Sequence, residues 1–344
     1  MVILIIILFV SVSFLSFQNF KQNDIKLLFF LIVTLLFLLD AFRPKQFDRD
    51  YLTYLNMYDD INNIAFYKVE LSFALIAKTV KTIFNQPLFL FIIYAFLGVT
   101  LKCIAIKQLS NFLLLSLLIY ISNFYLLHEL TQIRAGVATG FMLIAIKPMF
   151  ERNLKLFLLY ALLAFLFHYS AILIFFLWFL PIRNINYWIY ALLIPVAYIL
   201  YFCNISFTAL SELIPFEVMQ NKIYHYKIFT EKNNLQINVF NVQHLSRCCL
   251  SFLFLWMFLL LKNCNKYVPI LLQLYIWGTA AFIFFSDLPV FAFRISELLL
   301  CVEIILVPCI YYIIKQKQIA VIIICGLGLG VFLINIFHTK LFIF

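Results

Sequence analysis

Arg134 opens an apolar run in "LLHELTQIRAGVATGFMLIAIK" (residues 126–147), with Glu129 and Gln132 just ahead of it. Two further arginines stand in the same kind of place: Arg43 closes an apolar run and Arg294 enters one. A guanidinium carries a fixed fork of donors that fits phosphate oxygens, and it keeps its charge when partly desolvated. Each of these arginines alone also suits a side chain that snorkels to the membrane interface. As a set on one side of a membrane they suit a lipid-linked pyrophosphate. A second group of residues fits sugars. In "DRDYLTYLNMYDD" a helical register puts Asp50, Tyr51 and Tyr54 on one side. Aromatic faces pack on pyranose rings and carboxylates accept from their hydroxyls, although the same segment also suits a solvated loop beside an interfacial tyrosine belt. The remaining ionisable residues in or beside apolar runs are Asp48, Glu70, His168, Arg247, Asp287 and Glu297, with Asp40 near a run end. In lipid such groups are costly unless they face a cavity or a partner, so each is a functional candidate. Gln132 beside Arg134, and Arg247, join the substrate-binding set. Tyr224, His225 and His244 are weaker candidates.

These residues are carried by a chain that is 66% hydrophobic and only 12% charged over 344 residues, with a mean hydropathy of +1.06. An aqueous domain averages about 25% charged residues, and a membrane β-barrel alternates apolar and polar positions. Here the apolar runs are continuous. The fold class is therefore all-α, a polytopic integral membrane protein of about 10–12 transmembrane helices forming one domain over 1–344. The net charge of +10 comes from lysines and arginines scattered between apolar runs, which is topogenic charge and not a nucleic-acid footprint. The eight cysteines form no C-x-x-C pair and read as buried thiols. The first run, "MVILIIILFVSVSFLSF", lacks the basic leader of a signal peptide, and its first cations, Lys21 and Lys26, follow it. Loops with Lys21/Lys26, Lys102/Lys107, Lys147/Arg152/Lys155, Lys262/Lys266 and Lys315/Lys317 all read as cytoplasmic.

That assignment keeps its parity only if 154–180 is a broken or re-entrant pair, dipping in as "LKLFLLYALLAFLFH" and returning as "AILIFFLWFL". Each half would be about 20 Å long, too short for a hydrocarbon core of about 30 Å. Irregular backbone at that depth must be buried in protein or line a wet cavity, which places His168 at a break facing such a cavity. The polar segments 43–86 and 204–246 then fall on the outer face. Within the first, an amphipathic interfacial helix is predicted near 66–84. Val69, Phe73, Ile76, Ala77, Val80 and Phe84 share its apolar stripe, with Lys78 and Lys81 off it. No Walker loop, H-E-x-x-H or G-x-S-x-G occurs, and the D-x-D at 48–50 is too short a signal to name a metal. No cofactor is expected.

The order of short motifs resembles the EpsG-like branch of the Wzy polysaccharide polymerases. These are "RPKQFDRDYLTY", "YKVELSFALI", "TQIRAGVATG", "AFLFHYSAIL" and "FRISELLL", spread over about 43–300. The resemblance implies a multi-pass glycosyltransferase of the bacterial inner membrane, with its active site facing the periplasm or cell exterior. It would join oligosaccharide repeat units carried on undecaprenyl pyrophosphate into O-antigen, capsule or exopolysaccharide. A flippase and a chain-length regulator of the same pathway are the implied protein partners. Carried over, the matching positions are Arg43, Asp50, Tyr51, Tyr54, Glu70, Arg134, His168 and Arg294. His168, Glu70 or Asp50 would serve as general base, and the arginines would hold the pyrophosphate. The segment 204–246 matches no motif. Competing functions are a lipid-linked glycan flippase or transporter, an O-antigen ligase, and a membrane acyltransferase acting through His168.

Overall fold

A computed structural model describes residues 1–63, 69–211, 227–228, 230, 232, 236–339 and 341–342. Their regular elements are all helices; the sole bridge among the described residues is an isolated antiparallel pair, Asp48 with Phe342. The chain forms two compact units, one from Met1–Leu180 with Glu303–Phe344 and one from Pro181–Val302.

The first unit begins with α1 (Val2–Leu15) and α2 (Gln22–Ala41), then the short α3 (Tyr51–Asp59) and α4 (Leu71–Ile83). At its centre are α5 (Leu88–Leu109), α6 (Leu113–Tyr120) and α7 (Ile133–Phe150). Beyond Tyr120 α6 widens into a π-helix, Ile121–Glu129, and the chain turns before α7 starts. α8 (Leu154–Phe167) follows α7 as a hairpin. At His168 the backbone becomes extended, and the chain continues as a 3-10 turn, Tyr169–Leu173, and one helical turn, α9 (Ile174–Leu177). The break expected at "HYS" therefore lies at His168 itself.

The second unit holds α10 (Tyr187–Phe202), α11 (Phe207–Ser211), α12 (Val242–Trp256), α13 (Phe258–Cys264), α14 (Val268–Phe284) and α15 (Pro289–Leu300). α12 and α13 meet at Met257 with a bend of 78°. The chain then returns to the first unit as α16 (Glu303–Leu306), α17 (Ile310–Ile313) and α18 (Lys317–Leu333), the last ending in a second π-helix, Ile334–His338.

Among the described residues α5, α7 and the helix Lys317–His338 are each long and apolar enough to cross a membrane, and the bent pair would make a fourth span. At 1.5 Å per residue the 22 residues of α5 reach about 33 Å, enough for the hydrocarbon core. Several other apolar runs counted along the sequence form shorter helices, such as α8, which ends at the His168 break. Large apolar side chains such as Phe30, Phe179, Trp188 and Trp256 face outward, as a membrane protein requires. Inside, α5 and α7 approach closely at Gly140, where a Cβ would come within 2.8 Å of the Leu101 Cβ.

The predicted amphipathic helix is α4. Its residues Phe73, Ala77 and Val80 are buried while Lys78 is exposed, as the stripe requires, but Phe84, expected on the same stripe, caps the helix end and is exposed. Residues 66–68 of the predicted span lie outside the described residues. One topological marker needs correction. Lys102 does not sit in a loop: it lies inside α5 and is fully buried, because a carboxylate from the π-helix neutralises it there.

Candidate functional site

Glu70 occupies the N-cap position of α4, with an extended backbone and a carboxylate that is 5% exposed as a residue. It caps no amide of its own helix, so both of its oxygens are free to reach across the unit. Oε1 accepts from His168 Nδ1 at 2.9 Å, and Oε2 pairs with Arg134 Nη1. Residues 70, 134 and 168 thus meet although they come from three different elements: the start of α4, the first turn of α7, and the break after α8. The break matters because a regular helix would have carried the His168 ring onward with α8.

Arg134 is further defined by aromatic neighbours. Its guanidinium carbon lies 5.4 Å from the centroid of the Tyr54 ring and 5.6 Å from that of Phe73. Cation–π attraction orients such a group without consuming its hydrogen-bond donors. Its Nε is buried with no hydrogen-bond partner among the described residues. Tyr169, next to His168, donates from its hydroxyl to the Val69 carbonyl at 3.0 Å and ties the break to the residue before Glu70.

Burial alone would raise the Glu70 carboxyl. The hydrogen bond from His168 and the positive charge of Arg134 outweigh it and hold the group at about 2, so Glu70 is an anion. An anion cannot donate, so the proton between it and His168 belongs to Nδ1. That leaves Nε2 outside the Glu70 contact. The trio therefore presents an imidazole tied through Nδ1 beside a guanidinium, both held by one carboxylate.

Arg43 sits in a second cluster. Its Nη1 donates to Asp40 Oδ1 at 3.0 Å and to the Glu129 carbonyl at 2.9 Å, and its Nε lies 3.6 Å from Asp48 Oδ2. The guanidinium also covers the Phe91 ring at 4.5 Å, and Tyr51 stacks on that same ring at 4.9 Å. The Arg43 side chain is 1% exposed. Burial raises the Asp48 carboxyl to about 6 in spite of Arg43. Asp50 lies at the N-cap of α3, half-exposed, with its amide on Asp48 Oδ1 and its carboxylate 3.9 Å from Arg49. Tyr54 is buried one turn further along α3, between Asp50 and Arg134 in sequence of contact. Gln132 is the N-cap of α7, half-buried, two residues before Arg134.

So Glu70, Arg134, His168 and Tyr54 come together, with Gln132 on the adjoining turn. Arg43, Tyr51 and Asp50 belong to the neighbouring cluster. Arg247, in α12, and Arg294, in α15, belong to the second unit. His244 is buried in that unit, 3.5 Å from Cys248 Sγ and stacked on Phe282. Tyr224 and His225 lie outside the described residues. Sequence reasoning missed Lys102, whose ammonium meets Glu129 Oε1 at 2.6 Å. The available signal was Gly98 one helical turn before it, a gap in an otherwise bulky helix.

A family model for the EpsG family matches residues 26–343. The chain belongs to the EpsG family. It is accordingly a membrane protein of polysaccharide biosynthesis. No curated protein and no solved structure matches it. The matched span contains every member of the Glu70–Arg134–His168 trio, so this EpsG-family protein carries its candidate chemistry inside the family region.

Proposed function

We propose that this EpsG-family protein is a glycosyltransferase. It polymerises oligosaccharide repeat units borne on undecaprenyl pyrophosphate, at the outer face of the bacterial inner membrane. The observation that carries this reading is the single carboxylate, Glu70, holding a histidine and an arginine side by side. Transfer of a glycan from a polyprenyl pyrophosphate breaks the bond between the anomeric carbon and the pyrophosphate oxygen. It forms a bond from that carbon to an acceptor hydroxyl oxygen. The pyrophosphate is a good leaving group, so a protonated acid is not needed. What needs help is the negative charge growing on the leaving oxygens and the proton leaving the acceptor.

Arg134 meets the first need. It keeps its charge, and aromatic faces shield it from bulk water. His168 meets the second: Nε2 accepts the hydroxyl proton, and the resulting imidazolium is stabilised by the Glu70 anion at Nδ1. Glu70 therefore orients and stabilises and does not itself take the proton, since both of its oxygens are occupied. Tyr54 and Gln132 flank the site as groups for sugar and phosphate contact, and Asp50 contacts hydroxyls at the exposed end of α3. Arg43 holds the adjoining turn from within.

The test uses membranes containing the protein and the host's lipid-linked single repeat unit, with products resolved as a ladder of glycan lengths. Parent protein should give a ladder. Arg134→Ala and His168→Ala should each reduce its formation by at least about 100-fold, the span general-base and charge-stabilising groups usually contribute. A full ladder from either variant would sink the assignment of that residue. No ladder from well-folded parent protein would favour transport or acyl transfer.

A further inference from the structure

Lys102 and Glu129 are sealed inside the first unit, at 0% and 2% exposure. Placing two charges there is not an economical way to hold helices together. Desolvation offsets most of their attraction, and an apolar pair of similar volume is often as stable. Intramembrane ion pairs are instead characteristic of functional machinery. What this pair grips is specific. The Lys102 ammonium, on α5, donates to Glu129 Oε1 at 2.6 Å and to the Gly136 carbonyl at 2.8 Å. Residues 129 and 136 bracket Gln132 and Arg134. One cation thus holds the chain on both sides of the arginine, across the turn where the π-helix gives way to α7.

The rest of the surroundings serve the same end. Tyr120 donates to the same Glu129 oxygen at 2.8 Å, and Arg43 holds the Glu129 carbonyl at 2.9 Å. The other carboxylate oxygen lies in a slot between two glycines. A Cβ on Gly98 would come within 2.6 Å of it, and one on Gly136 would collide with it outright. Neither glycine has a positive φ, so each is there for the space. Any other residue at 136 would push the carboxylate, and with it the turn before Arg134.

We infer that Lys102 and Glu129 form a positioning pair that sets the register of the first turn of α7, so that the Arg134 guanidinium meets Glu70. The pair touches no substrate and acts through Arg134, and its catalytic consequence rests on the role proposed for Arg134 above. The clamp lies where the π-helix gives way to α7, an irregularity of a kind frequent at functional sites.

The experiment separates the geometric claim from the enzymatic one. Glu70→Cys and Arg134→Cys are introduced together, and the rate at which a short bis-maleimide bridges the two thiols is followed by mass spectrometry in parent background and with Lys102→Met/Glu129→Gln added. The neutral pair keeps the volume and removes the clamp. The expected result is ready cross-linking in the parent and at least a tenfold slower reaction without the pair, at unchanged melting temperature. Gly136→Ala, which displaces the carboxylate without removing a charge, should slow it likewise and covers the case in which the neutral pair fails to fold. Equal cross-linking rates in a folded variant, or none in the parent, would overturn the inference.

Ladder formation is measured separately. Lys102→Met/Glu129→Gln should reduce it by about 10–100-fold, the usual cost of a displacement near 1 Å. Added to Arg134→Ala it should cost nothing more, because the pair acts through that residue. A multiplicative further loss would assign the pair a merely structural role. Clamp-dependent cross-linking in a protein that makes no ladder would leave the positioning intact and refute the polymerase reading instead.

Discussion

Replacing Glu70 by glutamine tests the trio most selectively, since the side chain keeps its shape and loses only its charge and one acceptor. The amide can still accept from His168 or from Arg134, but its NH2 group must then face the other donor. The magnitude follows from the carboxyl's position. Held at about 2 against an ordinary 4.5, it favours the ionised form by about 3 kcal/mol, at about 1.4 kcal/mol for each pH unit. Hydrogen bonds to charged groups give the same scale: each is worth about 1.5–3 kcal/mol, and the amide keeps roughly one of the two. The loss bears on the rate, because the His168–Glu70 contact strengthens as the imidazolium forms. Only the part that grows with the imidazolium reaches the rate, about 1.5–3 kcal/mol for one charge-assisted hydrogen bond, a reduction of roughly 10–150-fold in turnover. The assay is the initial rate of glycan-ladder formation with the lipid-linked repeat unit at saturating concentration. Folding is checked by thermal melting of the purified variant. Folded Glu70→Gln protein working within about threefold of the parent would refute the role of the carboxylate as the holder of the site.

Other consequences follow from the same contacts. Arg134→Lys keeps the charge and loses the fork, so it should retain more activity than Arg134→Ala while falling at least about tenfold below the parent in the ladder assay. Arg43→Ala leaves Asp40 and Asp48 buried without their cation, which should cost about 3–5 kcal/mol and show as loss of folded, monodisperse protein in detergent. Glu70 and Asp48 should imprint opposite pH dependences on stability. The Glu70 group, lowered from 4.5 to about 2, contributes stability that is complete above about pH 4.5 and is lost as pH falls through about 2. Asp48 is raised from 3.8 to about 6, so the folded state binds the extra proton, and its contribution declines as pH rises from about 4 to about 6. Thermal melting from pH 3 to 8 should lose the second feature in Asp48→Asn and keep the first.

Much of the site was legible where local pattern and chemistry agreed. The 3.6-residue stripe of Phe73, Ala77 and Val80 located α4, and the over-long apolar run 154–180 pointed to a break that lies at His168. Arg134 stood out because a cation at the mouth of an apolar run needs a reason. What was hidden depends on partners distant along the chain. Glu70 meets residues 64 and 98 positions away, and no local signal distinguishes a carboxylate that orients two groups from one that takes a proton. Lys102 was misplaced because a lysine near the end of an apolar run looks topogenic, while its neutralising acid lies 27 positions on, in a π-helix that periodicity does not reveal. Arg43 has the same composition around it as a surface arginine. Its burial shows only once Asp40, Asp48 and the Glu129 carbonyl converge on it.

The measurement that bears most directly on the central claim is stoichiometric. Purified protein in lipid discs would receive a single lipid-linked repeat unit. Glycan bonds formed and undecaprenyl pyrophosphate released would then be counted in the same reaction. One pyrophosphate lipid should be freed for every bond made, with both processes abolished together in His168→Ala. Release without bond formation, or longer glycans without release, would contradict it.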